Sequence, residues 1–266
     1  MYKAFYVRRL LCPGFFLCIC LLHAPSNSFA AQSFVSVSEH GFDEADNKQD
    51  FNDYPWSMLY FTPDGSDTGY LYAGTGNSVM NNIMYRIGVV DFEPTPNRPP
   101  EIRRYRPDLG TKTWERVFDD RDIESGPDWQ TSGFRSMASY TSVNDDVTRI
   151  YAGTYGNEPA LWRSKTGDPG TWERFWSITV TSGSIRALTM HNGLLYMGIT
   201  NEVRDNPPAG KLYKSSDGVT WELIFQDGLG NPSNFCLRNM CVVDDQLFLG
   251  MANIFEGLEI FRSTGH

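Results

Sequence analysis

The stretch that decides the fold runs from Ile185 to Glu222. It holds Ile185-Arg186-Ala187-Leu188, then Leu195-Tyr196-Met197-Gly198, then Tyr213-Lys214, and ends Ser215-Ser216-Asp217-Gly218-Val219-Thr220-Trp221-Glu222. Working outward, the same marks recur in the same order. The opening segment returns as Trp56-Ser57-Met58-Leu59, Phe134-Arg135-Ser136-Met137 and Leu237-Arg238-Asn239-Met240. The glycine-ending segment returns as Leu71-Tyr72-Ala73-Gly74, Ile150-Tyr151-Ala152-Gly153 and Leu247-Phe248-Leu249-Gly250. An aromatic–basic pair follows at Tyr105-Arg106, Trp162-Arg163 and Phe261-Arg262, and Trp-Glu at Trp114-Glu115 and Trp172-Glu173. The fourth copy stops before its Trp-Glu.

Short aromatic and β-branched segments between Gly, Asn and Asp turns are strands of an antiparallel fold. A four-stranded unit repeated along the chain is the blade of a β-propeller. A β-sandwich has similar strands, but nothing in it makes the same Trp, Gly and aromatic–basic marks recur in register. The strand-two glycines lie 79, 45 and 52 residues apart, and the long first interval is taken up by a proline-rich loop around Val90–Pro100. The expected fold is therefore all-β, with four blades over residues 54–266 and the last one incomplete.

The turn Ser215–Trp221 resembles an Asp-box, or BNR repeat, the turn between the third and fourth strands of sialidase-like propellers. Its Asp accepts turn amides, its Gly takes positive φ, and its Trp packs between blades. Degenerate versions occur at Pro107–Trp114 and Ser164–Trp172. With the Leu-Tyr-x-Gly and Trp-Arg-Ser segments and the spacer Asp227-Gly228-Leu229-Gly230-Asn231, the chain is similar to exported prokaryotic propeller proteins with sialidase-like repeats. That resemblance implies architecture and export; most such proteins have no assigned activity.

Lys3, Arg8 and Arg9, the apolar run Leu10–Leu22, and small residues at Ser28 and Ala30 have the order of a secretory signal peptide cut before Ala31. Residues 1–30 are thus expected to be removed, leaving 31–53 as an N-terminal strand and linker. Without the three basic residues of the signal, 20 Lys+Arg face 32 Asp+Glu, a balance of −12. So acidic a chain is a poor partner for nucleic acid, whose binding rests on neutralising phosphates. No later segment has the roughly 20 apolar residues needed to span a bilayer. Cys236 and Cys241 remain of five cysteines; on one strand they stand roughly 16 Å apart, too far for a disulfide. The histidines are isolated and no cysteine–histidine cluster has zinc spacing, so neither a metal nor another cofactor is expected.

Two readings of the chain ends stay open. Phe34–Phe42 can be laid beside Trp221–Leu229, an aromatic-led strand entering a Gly turn, and so would complete the last blade of a small ring. Ser263-Thr264-Gly265-His266 looks instead like an Asp-box begun, which fits a larger propeller.

For chemistry, Arg135, Arg186 and Arg238 share one place in three copies, on the innermost strand that lines a propeller's channel. Facing inward they would form a cationic ring for a carboxylate or sulfate; alternatively each pairs with a neighbouring carboxylate. Asn77, Asn157, Asn201 and Asn253 follow the strand-two glycines and fit Asx-turns. Glu115, Glu173 and Glu222 recur on outer strands as surface groups. A sialidase-like hydrolase would need an arginine triad, a tyrosine and a carboxylic acid, and the Arg-Ile-Pro signature of such enzymes is absent. No catalytic residue is assigned. The expectation is a secreted or periplasmic, non-enzymatic propeller binding an anionic glycan, a peptide or a protein. The alternatives are a carbohydrate-active enzyme, glycosidase or lyase, using the channel arginines, or a fragment of a larger propeller.

Overall fold

The computed structural model describes residues 34–42, 52, 54–76, 99–119, 131–156, 158–178, 183–201 and 209–264. The signal segment, Asn77, Asn157 and His266 lie outside them. The chain is an all-β propeller. Among the described residues the only helical segments are two three-residue 3-10 turns, His40–Phe42 and Pro107–Leu109.

Among the described residues, fifteen antiparallel strands fall into four blades. Blade 1 comprises β1 (Tyr54–Phe61), β2 (Tyr70–Gly76), β3 (Glu101–Tyr105) and β4 (Glu115–Asp119). Blade 2 comprises β5 (Thr131–Thr141), β6 (Thr148–Gly156), β7 (Ala160–Ser164) and β8 (Glu173–Ser177). Blade 3 comprises β9 (Gly183–His191), β10 (Leu194–Asn201), β11 (Lys211–Ser215) and β12 (Glu222–Phe225). Blade 4 has three strands among the described residues, β13 (Cys236–Val243), β14 (Gln246–Ala252) and β15 (Glu259–Arg262). Among the described residues, blades pair edge to edge only where a second strand meets the next blade's first, as at Gly76 and Gly133.

What stacks the blades is a contact repeated at each junction. The strand-two glycine leaves a socket, and an apolar side chain from the next blade's first strand fills it. A Cβ on Gly74 would lie 2.7 Å from Phe134, one on Gly198 would lie 2.7 Å from Leu237, and one on Gly153 would overlap Ile185. Phe134, Ile185 and Leu237 are completely buried. At two junctions a hydroxyl adds a crosslink: Ser57 donates to the Phe134 carbonyl at 2.9 Å and Ser136 to that of Ile185 at 2.8 Å. Farther out, Tyr72 and Tyr151 cover the turn glycines Gly167 and Gly218 of the next blade, where positive φ and a closely packed phenol both exclude a side chain.

The tryptophans of the Trp-Glu marks differ. Trp114 and Trp172 are buried, Trp172 stacking on Phe118 with ring centroids 5.7 Å apart, whereas Trp221 is only half-buried. Blade 1 also departs from the sequence alignment. Strand pairing sets Arg104 opposite Glu115, as Arg163 is opposite Glu173 and Lys214 opposite Glu222. The counterpart of Trp162-Arg163 in blade 1 is therefore Arg103-Arg104, not Tyr105-Arg106. Cys236 and Cys241 are unpaired, one buried and one exposed on β13.

The socket makes the glycines unequal. Gly153→Ala should cost about 1–3 kcal/mol, as overpacking does. Gly250→Ala, where the nearest atom of the same chain to a new Cβ is 3.8 Å away, should change the stability of the monomer by about 0.5 kcal/mol at most. Denaturant unfolding checks both, and equal effects would contradict the packing scheme. Trp172→Ala should cost about 3–5 kcal/mol in the same experiment.

Candidate functional site

The innermost strand of every blade carries a β-bulge at one place. Pairing runs Phe134 to Thr154 and then Ser136 to Gly153, passing over Arg135. It runs Ile185 to Ile199 and then Ala187 to Gly198, passing over Arg186. In blade 4, Leu237 faces Met251 and Asn239 faces Gly250, passing over Arg238. In blade 1 the residue passed over is Trp56, between Pro55 and Ser57. A bulged residue is freed from the alternation of the strand and can be re-aimed. Here the neighbour on one side fills the socket, the neighbour on the other lies opposite the glycine, and the bulged residue is left to project from the stack.

The three arginines come within electrostatic reach of one another. Burial, followed by the nearby charge of Arg186, pushes Arg135 down to about 9, with Arg238 adding to it. Burial first, and then Arg238, also lowers Arg186. Both directions mean that the charged form is disfavoured by desolvation and by like charge. Among the described residues no carboxylate forms an ion pair with any of the three. The reading in which each guanidinium is tied to a neighbouring carboxylate thus has no support there.

The other wall is aromatic. The Arg135 guanidinium lies 4.5 Å from the Trp56 ring and 5.1 Å from the Tyr155 ring, and the two rings meet edge to face at 5.6 Å. Cation–π contact of this kind holds a guanidinium in place without neutralising it. Trp56 could be placed from the repeat only to within one residue: the alignment sets it beside Phe134, Ile185 and Leu237, and strand pairing moves it to where the other copies have arginine. Tyr155 could not: it follows Gly153 by two positions in one copy only, so no repeat marks it.

The remaining candidates are structural. Glu115 and Glu173 each pair with the arginine across the strand at 2.7 Å, and Glu222 with Lys214 at 3.3 Å. Asn253 closes an Asx-turn, accepting from the amides of Phe255 at 3.0 Å and Glu256 at 2.9 Å. In the Ser215–Trp221 turn, the Asp217 carboxylate accepts from the amides of Val219 at 2.8 Å and Thr220 at 2.7 Å. Its pKa is lowered even though burial works the other way, and those hydrogen bonds are what lower it.

No protein-family model matches the chain, and no curated protein matches it in sequence. Solved structures that it resembles include an exo-beta-1,3-galactanase from Phanerochaete chrysosporium, at TM-score 0.45 and 7% identity, covering 73% of this chain and 41% of that one. An alpha-L-arabinofuranosidase from Clostridium thermocellum gives TM-score 0.42 and 13% identity over 79% of this chain and 68% of that one. Another, from Fusarium graminearum, gives 0.44 and 13% over 74% and 55%. The chain thus spans about two-fifths of the galactanase. The expectation of a non-enzymatic binding propeller is corrected here, because the solved structures named above are all of glycan-cleaving enzymes; at these identities the likeness extends to the fold alone.

Three uncompensated guanidinium groups should respond to an anion. Galacturonate or sulfate at millimolar levels should raise the melting temperature of the chain, and should not raise that of Arg135→Gln/Arg186→Gln. The double variant should itself melt no lower than the parent, because it removes a repulsion. A loss of stability in it would assign the arginines to the scaffold.

Proposed function

We propose that the chain is an exported carbohydrate-active enzyme that grips the carboxylate of an acidic sugar with Arg135, Arg186 and Arg238. The observation that carries this reading is the recurrence of three arginines at one bulge position, without a carboxylate partner among the described residues. Guanidinium groups bind carboxylates through paired, charge-assisted hydrogen bonds. The Trp56 ring beside them supplies the flat apolar surface on which a sugar ring stacks. The turn at Ser215–Trp221 is read as an Asp-box of the sialidase-like type, a folding device rather than a site. Among the described residues no helix is long and apolar enough to cross a membrane, and the chain's acidity weighs against nucleic acid as a partner.

Of the two reaction types, β-elimination fits the local chemistry better than hydrolysis. Glycosidases work with a positioned pair of carboxyl groups. The groups acting on Arg135 are Arg186, Tyr155, Cys236 and Arg238, and those acting on Arg186 are Cys236, Arg238 and Tyr155, with no carboxylate among them. Arginines that neutralise a uronate carboxylate make the neighbouring C–H acidic. A base then takes that proton, the bond from carbon to the leaving sugar oxygen breaks, a C=C bond forms, and the oxygen leaves with a proton. Tyr155, whose ring lies 5.1 Å from the Arg135 guanidinium, carries the hydroxyl proposed to exchange those protons.

The test is a panel of acidic and neutral polysaccharides, read for new reducing ends and for the ultraviolet absorbance of an unsaturated uronate. Cleavage confined to uronate polymers, with that absorbance, is expected, and Arg135→Gln/Arg186→Gln should lower the rate at least about 100-fold. Cleavage of neutral arabinan or galactan alone, or of nothing, would contradict the reading.

A further inference from the structure

We propose that the chain assembles head to tail with a second copy of itself, blade 4 of one molecule stacking on blade 1 of the next. The argument starts from the socket contact, which is made three times and then stops. Among the described residues no side chain from a following blade lies over Gly250; the nearest atoms to a Cβ there are those of Asn239, at 3.8 Å and beyond. The face around this socket is apolar and open: Val243 is 50% exposed and Ile260 69%. On the other side of the molecule, β1 presents the opposite half of the same contact. Pro55 stands where Phe134, Ile185 and Leu237 stand, and it is exposed. Met58 and Tyr60, which share its face, are 63% and 60% exposed. Their counterpart Met137 packs into the core at the junction of blades 1 and 2.

The N-terminal segment identifies what these faces meet. Phe42 lies 4.9 Å from Trp114 and against Arg103, whose guanidinium is 5.6 Å from its ring. Phe118, on the fourth strand of blade 1, makes the same pair of contacts one blade on, with Trp172 at 5.7 Å and Trp162 at 4.9 Å. Val37 accepts from the Trp114 indole at 2.9 Å, and Glu39 pairs with Lys112. Residues 36–42 are therefore seated on blade 1 as the outer strand of a blade that precedes it. Blade 4 is the blade that has no fourth strand among the described residues, and β15 pairs only with β14. The same chain does not bring the two together, since both faces are exposed. A second copy does, with its N-terminal segment supplying the strand that blade 4 lacks. Two such contacts related by a two-fold axis close the assembly, giving eight blades, at the upper end of the usual range of about four to eight.

Sedimentation or light scattering of the purified chain should give a dimer. Met58→Arg and Ile260→Arg, both at exposed positions, should each weaken association roughly 30-fold or more while leaving the circular dichroism and melting of the monomer unchanged. Mixing the two variants should restore association. The blade 4 face is intact in one and the blade 1 face in the other, so one head-to-tail contact survives, as it would not in a symmetric face-to-face dimer. A monomeric parent chain would overturn the proposal, as would a dimer that survives both substitutions or a mixture that fails to associate. The first of these outcomes is also what further blades from a longer chain would produce.

Discussion

The structure depends on the approach of one blade's first strand to the glycine of the preceding blade's second strand. A side chain in place of Gly74, Gly153 or Gly198 would meet Phe134, Ile185 or Leu237 at less than van der Waals distance. Because the socket accepts one apolar residue, it fixes the register of each innermost strand. The residue after the knob is then held at the bulge, and the residue after that lies opposite the glycine. Blade packing and the placing of Arg135, Arg186 and Arg238 are consequences of one contact.

This coupling explains how an acidic protein carries a cationic centre. Bringing three guanidinium groups together opposes folding, and burial of Arg135 adds to the cost. The aromatic pair Trp56–Tyr155 recovers part of it through the ring faces. The rest is carried by the buried apolar clusters at each junction, such as Phe118, Phe134, Trp162 and Trp172. In the proposed function the scaffold pre-organises this site, with Arg135 and Arg186 already partly withdrawn from water.

The blades were legible because each depends on residues that cannot be exchanged freely: a glycine under a knob, a tryptophan at a turn, a glutamate across from a base. The alignment slipped in blade 1, where Tyr105-Arg106 imitates the aromatic–basic pair but strand pairing puts Arg103-Arg104 there. Sequence sees the residue types, whereas only pairing sees which of two arginines faces Glu115. The arginines were found by their repetition, but the bulge that aims them leaves no mark in composition. Tyr155 occurs in a single copy and was invisible for that reason. The open faces were also hidden, since Met58 and Ile260 are the same kinds of residue that are buried in the inner blades.

The most direct measurement is a crystal structure of the chain soaked with a uronate oligosaccharide. The account predicts the sugar carboxylate within hydrogen-bond distance of at least two of the Arg135, Arg186 and Arg238 guanidinium groups, with its ring against Trp56. Guanidinium groups directed into separate blade interfaces, or a sugar bound elsewhere with the arginines untouched, would contradict it.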